Sequence, residues 1–154
     1  MLIAEIGNNA LGSMTKAKEL IRVAMESGAD LVKSQAFSAK DIKGSMDHSF
    51  YQMCEFSFDE YVELLHYAKD IGVPMFYSIF SREFEDLSYH QHWHKTAGSQ
   101  TKLGFKNLLK RDVRSMIVSI PEFSILPDVK RARVLSVTQY NTLKPNLVLK
   151  YYIE

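Results

Sequence analysis

The stretch "LIAEIGNNALG", residues 2–12, sets one acid, Glu5, inside an apolar run and follows it with a turn of Gly7, Asn8 and Asn9. Leu2, Ile3, Ala4 and Ile6 read as a buried strand, where a carboxylate costs free energy unless it is paired or used. After the turn, residues 15–27 place Ala17, Leu20, Ile21 and Ala24 at helical spacing, with Gly28 as the stop. "ADLVKSQAF" (29–37) follows as a second strand. Strand, helix and strand in this order predict an α/β fold with a parallel sheet.

The rest of the chain keeps the alternation. Residues 41–55 show no clear period and read as an excursion. Ser57 and Glu60 then make a capping box, and Phe58, Tyr61, Leu64, Leu65, Ala68 and Ile71 form an apolar stripe that ends at Gly72. "VPMFYSIF" (73–80) is a third strand, residues 81–87 a short polar helix or turn, and "HWHKTAG" (92–98) a fourth strand. A helix is expected within 105–110, and "RSMIVSI" (114–120) and "ARVLSVTQY" (132–140) are two further strands. The tail "NLVLKYYIE" is compatible with a seventh strand or a ragged end. There is no internal repeat or low-complexity run.

With 154 residues, 46% hydrophobic and 24% charged, the composition is that of one ordinary globular domain. Nineteen basic against eighteen acidic residues leave a net charge of +1, which gives no general attraction for nucleic acid or an acidic membrane. No run approaches the roughly 20 apolar residues of a membrane helix, and the N-terminus lacks the regions of a signal peptide. The single cysteine, Cys54, cannot form an internal disulfide, so the cytoplasm is the default compartment.

Active sites of parallel α/β folds gather at the C-terminal ends of strands, and those positions are polar here. They carry Glu5 with Asn8 and Asn9, then Lys33 and Gln35, Ser78, Lys95, Ser119, and Thr138 with Tyr140. Two lysines at the ends of apolar strands stand out, because a buried ammonium needs an anion. A phosphate or carboxylate ligand would supply one. So would Glu5, paired structurally with Lys33 or Lys95.

"IAEIGNN", "GADLVKSQAF", "KTAGS" and "YNT", in this order, resemble the N-terminal half of the sialic acid synthase family, whose pattern runs A-E-I-G-x-N-H-N-G, G-A-D-x-V-K-F-Q, S-T-P-F, K-I-A-S-G-E, S-T-G and S-x-Y-P-T. The resemblance covers most of residues 2–142, and its first two motifs are specific when found together. It implies a TIM barrel that condenses phosphoenolpyruvate with an N-acetylated sugar to give a nonulosonic acid and phosphate, using a divalent metal, Mn or Mg. Carried over residue by residue, Lys33 and Lys95 would hold the carboxylate and phosphate of phosphoenolpyruvate, with Ser78, Ser119 and Thr138 beside them. Glu5 would act near the reacting carbons as an acid/base or sugar-binding group. Gln35, Tyr140 and Gln100 would face the sugar.

The chain departs from the pattern at several points. N-H-N-G is replaced by Asn9, Ala10, Leu11 and Gly12, which removes an imidazole. Gly98 and Gln100 replace the serine and glutamate of K-I-A-S-G-E, Ser34 the phenylalanine of K-F-Q, Pro121 the glycine of S-T-G, and Thr138 an asparagine. A whole TIM barrel takes about 250 residues, so the expectation is a partial barrel of about six parallel β/α units, incomplete at the C-terminus. The family's metal-binding histidines and antifreeze-like domain, which follow later, would be missing. The isolated chain is then read as inactive, in need of self-association or a completing partner chain. The alternative is a non-catalytic interaction or regulatory subunit that keeps the anion pocket.

"HQHWH" sets His90, His92 and His94 at alternate positions, a spacing a metal site would use, but they lead into the strand before Lys95 at its N-terminal end, away from the expected active face. No metal ligands are assigned. Cys54 has no activating neighbour in sequence and reads as a packed thiol, and "KRARV" (130–134) reads as a solvated turn.

Overall fold

The computed structural model describes residues 1–42, 48–96, 115–120, 132–137 and 148–153. They form two compact units, Met1–Gln91 and His92–Glu154.

In the first unit, β1 (Ile3–Glu5), β2 (Leu31–Ala36) and β3 (Met75–Ile79) pair in parallel, β1 on β2 and β2 on β3. Helix α1 (Met14–Glu26) connects the first pair; α2 (His48–Met53) and α3 (Phe58–Asp70) lie in the second connection. The Ser13 hydroxyl caps α1 by accepting the Lys16 N–H at 3.3 Å, and α3 has the full Ser57/Glu60 capping box. Both helices end the same way. The Gly28 N–H donates to the Met25 carbonyl and the Ala29 N–H to Ala24, while Gly72 donates to Lys69 and Val73 to Ala68. This paired closure needs a left-handed residue, supplied by Gly28 at φ +83° and Gly72 at φ +88°.

Parallel neighbours in register share a sheet face, and successive residues alternate between faces. Ala4, Val32, Ala36, Met75, Tyr77 and Ile79 therefore lie on one face, packed with Ala17, Ile21 and Ala24 of α1 and Tyr61, Leu64, Leu65 and Ala68 of α3. Ile21 and Leu64 are almost fully buried, each worth about 1.5–3 kcal/mol of transfer free energy. The Tyr61 ring lies edge-on to Tyr77 at 5.0 Å and to Phe84 at 5.1 Å, beneath the start of α3. Glu5, Lys33, Gln35, Phe76 and Ser78 occupy the opposite face, away from the helices.

In the second unit, β4 (Trp93–Thr96) pairs in parallel with β5 (Ser115–Ile120). β7 (Val148–Ile153) runs antiparallel to β5, and β6 (Ala132–Val137) runs antiparallel to β7. The expected sixth strand forms and runs in the same direction as β5, but the two do not pair: β7 stands between them, antiparallel to both. A parallel partner needs a crossover of a dozen or more residues, usually a helix, whereas an antiparallel one closes through a short connection. Residues 138–147, with Pro145 among them, link β6 to β7.

Strand bounds are shorter than expected by one to three residues at most ends. The polar segment after β3 is a 3-10 helix, Arg82–Tyr89; a 3-10 turn, Ala39–Asp41, leads into the excursion, which contains helix α2. The helix expected within 105–110 lies outside the described residues. Among the described residues no helix is long and apolar enough to cross a membrane.

Candidate functional site

β1 ends at Glu5, and the Ile6 N–H still donates to the Lys33 carbonyl at 2.9 Å. Glu5 and Lys33 are register partners, so their side chains lie side by side on the face opposite the helices. The Lys33 ammonium donates to Glu5 Oε2, and the Gly7 N–H donates to the other carboxylate oxygen, Oε1, at 3.1 Å. Of the two partners the sequence left open for Glu5, the structure joins it to Lys33. Lys33 is buried as the sequence suggested, its side chain 6% exposed, but Glu5 is not, at 51%. Glu5 is the last residue of its strand, so its carboxylate projects past the apolar neighbours that suggested burial. The desolvated member is the ammonium, which would be costly without its partner.

Gln35 lies two residues beyond Lys33 on the same face and is the register partner of Ser78. Ser78 is 1% exposed, and among the described residues its hydroxyl has no hydrogen-bond partner. Such a buried orphan in a native fold calls for an explanation, and a ligand oxygen is one. The structure thus brings Glu5, Lys33, Gln35 and Ser78 onto one polar sheet face in the first unit.

Lys95 lies half-buried in β4, in register with Ile117. Ser119 is in β5, opposite Lys150 of β7. Gln100, Thr138 and Tyr140 lie outside the described residues.

The loop after Glu5 is held from two sides. Ser34 Oγ donates to the Gly7 carbonyl at 2.9 Å, and the buried Cys54 thiol lies 3.8 Å from the Asn8 carbonyl. Burial pushes the Cys54 thiol above its usual range, as suits a packed group. Gly12, at φ +71°, comes so close to α2 that a Cβ there would stand 2.2 Å from the Met53 carbonyl oxygen. Glu55 accepts from Ser38 Oγ at 3.0 Å and from the Ala39 N–H, which ties the exit of β2 to the approach of α3. Sequence reasoning missed Ser34, Gly12 and Glu55 as positioning residues. Only Gly12 carries a local signal, a glycine closing a turn just ahead of a helix cap.

An open cleft of about 580 Å³ lies among Phe56, Phe58, Phe84, Glu55, Lys40 and Glu83. None of the sequence-predicted residues lines it. Its lysine is already paired, Lys40 Nζ to Glu83 Oε2 at 2.7 Å, an interaction that raises the pKa of Lys40 and lowers that of Glu83. Lys33 is paired too, but it is buried and shares its face with the orphaned Ser78 hydroxyl, which makes the sheet face the better candidate for an anion. Among the described residues no group of three His, Cys, Asp or Glu side chains is placed to hold a metal ion. The metal implied by the resemblance has no fitting site among them. His90 and His92 are exposed, against the Phe58 and Trp93 rings respectively, and His94 is buried.

No protein-family model matches the chain. It is 34% identical over 87 residues to N-acetylneuraminate-9-phosphate synthase of Homo sapiens, a stretch covering 47% of this chain and 24% of that one. It is 33% identical over 103 residues to N,N'-diacetyllegionaminic acid synthase of Campylobacter jejuni, covering 56% of this chain and 31% of the relative. In fold it is similar to the N-acetylneuraminic acid synthetase of Leptospira borgpetersenii, solved with citrate, at a TM-score of 0.61 and 21% identity, over 71% of this chain and 39% of that one. Two curated synthases and a shared fold agree with the motifs around Glu5 and Lys33: the chain is sialic acid synthase-like, similar to part of these proteins and spanning about a quarter to a third of the curated relatives it matches.

Proposed function

We infer that the polar sheet face takes phosphoenolpyruvate, and that the chain belongs to the machinery that condenses it with an N-acetylated sugar to give a nonulosonic acid and phosphate. The observation that carries this reading is the buried Lys33 ammonium sharing a face with the orphaned Ser78 hydroxyl. A compact ammonium suits a carboxylate or phosphate oxygen, and a hydroxyl without a partner is ready to donate to one. The resemblance assigns anion contacts to Lys95, Ser119 and Thr138 as well. Gln35, Tyr140 and Gln100 face the sugar, and Glu5 serves as the acid/base or sugar-binding group.

The isolated chain is proposed to be inactive by itself and to work with further polypeptide, from its own longer chain, from a second copy or from a completing partner. A second reading, an anion-binding subunit without catalysis, is favoured by Ala10, Gly98 and Gln100, which stand where the family pattern has histidine, serine and glutamate. Calorimetric titration with phosphoenolpyruvate on the wild type, Lys33→Met and Lys95→Met tests the site. Each substitution is expected to weaken binding at least tenfold, and equal binding in all three proteins would remove the assignment. Phosphate release from phosphoenolpyruvate with N-acetylmannosamine and Mn separates the two readings, since metal-dependent turnover by this chain alone would exclude the subunit.

A further inference from the structure

Glu5 already occupies the position that an anionic ligand of Lys33 would need. The ammonium is buried and donates to Glu5 Oε2, while the half-exposed carboxylate is steadied on its other oxygen by the Gly7 N–H at 3.1 Å. One desolvated ammonium cannot face two anions without bringing like charges together in a region of reduced dielectric, where their repulsion is stronger than in water. Resting on the reading of Lys33 as the anion holder, we propose that Glu5 is an internal competitor: its carboxylate stands in for the ligand's anionic group, and an incoming phosphate or carboxylate binds by displacing it from Lys33.

The geometry supplies the means of exchange. Glu5 is the last residue of its strand and its side chain is 51% exposed, so the carboxylate can turn into water and be solvated there. Lys33, 6% exposed in the middle of β2, has no such freedom and stays where it is. Displacement therefore moves the acid and leaves the cation. Glu5 then sets the selectivity of the site, because a ligand must solvate or engage Lys33 better than a tethered carboxylate does. Neutral molecules and weak acceptors are excluded. The tether holds the competitor at high effective concentration, so removing its charge should raise affinity for any small anion.

The test uses inorganic phosphate as probe, titrated calorimetrically into the wild type, Glu5→Gln and Lys33→Met, with circular dichroism on each to establish folding. The amide of Glu5→Gln keeps the size of the side chain and deletes the competing charge. Phosphate should bind Glu5→Gln at least tenfold more tightly than the wild type, and Lys33→Met should lose it. Unchanged or weaker binding by Glu5→Gln, with loss in Lys33→Met, would overturn the competition and leave the anion site standing. Equal binding by Lys33→Met and the wild type, or no binding by any of the three, would overturn both. Should Glu5→Gln fail to fold, the Glu5 carboxyl carbon resonance in the wild type decides. It should move as phosphate saturates the site, and an unmoved resonance at saturation would overturn the proposal.

Discussion

Ser34 donates its hydroxyl to the Gly7 carbonyl at 2.9 Å, tying the middle of β2 to the loop that leaves Glu5. The family pattern has phenylalanine at this position; here a hydroxyl holds the loop instead. Ser34 is 8% exposed and lies on the face turned toward the helices. Ser34→Ala should cost about 1 kcal/mol, the net worth of one such bond, read as a lower urea midpoint with unchanged slope. A midpoint equal to the wild type would mean that the loop is held by Cys54 and Gly12 alone.

Gln91 pairs its side-chain amide with the backbone of β3. Its Oε1 accepts the Tyr77 N–H at 2.9 Å and its Nε2 donates to the Tyr77 carbonyl at 3.2 Å, with Gln91 7% exposed and Tyr77 1%. Gln91→Leu leaves both backbone groups buried and unpaired, at about 1–3 kcal/mol for each. Equilibrium urea unfolding should show a loss well above that of Ser34→Ala. A loss below it would show that water reaches Tyr77 once the amide is gone.

Two glycines with similar dihedral angles should respond differently to alanine. Gly28 at φ +83° has open space where a Cβ would stand, so Gly28→Ala carries only the left-handed penalty of about 1–2 kcal/mol. Gly12 at φ +71° would add a Cβ 2.2 Å from the Met53 carbonyl oxygen, a backbone atom that cannot swing aside. Gly12→Ala should therefore cost more than Gly28→Ala in thermal unfolding. It should also speed the reaction of Cys54 with a thiol reagent, because the contact between loop and α2 that buries the thiol is forced open. Equal costs and an unchanged Cys54 rate would contradict this account of the loop.

Alkaline conditions should weaken the fold through its buried tyrosines. Desolvation pushes the Tyr61 hydroxyl from 10.0 up to about 12, and that of Tyr77, which donates to the Tyr61 carbonyl at 3.0 Å, well above 10.0. A raised folded-state pKa means that the unfolded chain ionises first. The stability is fully present below about pH 10 and is lost as pH rises from there through about 12. The melting temperature should fall over that window, and less steeply in Tyr61→Phe, which cannot ionise there. A flat profile in the wild type would mean that both hydroxyls are hydrated.

Much of the first unit was legible because its signals are local. The Ser57/Glu60 box, the apolar stripe from Phe58 to Ile71 and the glycine stops are each readable within a few residues, and all are found in place. Helix α2, "HSFYQM", buries none of its residues and so leaves no periodic trace. The neighbour of β6 was not legible either, since Val134 or Leu135 reads the same beside β5 as beside β7. At the candidate site, sequence identified Glu5, Lys33, Gln35 and Ser78 as polar strand-end residues, and the register gathered them on one face. That Lys33 is the buried partner and Glu5 the exposed one follows from where β1 stops, which a sequence pattern fixes poorly.

The most direct measurement of the central claim is a crystal structure of this chain grown with phosphoenolpyruvate. The account predicts a carboxylate or phosphate oxygen within hydrogen-bond distance of Lys33 Nζ, Ser78 Oγ satisfied by the ligand, and the Glu5 carboxylate turned away from Lys33. Phosphoenolpyruvate bound in the cleft beside Lys40, or the Glu5–Lys33 pair intact beneath a ligand held elsewhere, would contradict it.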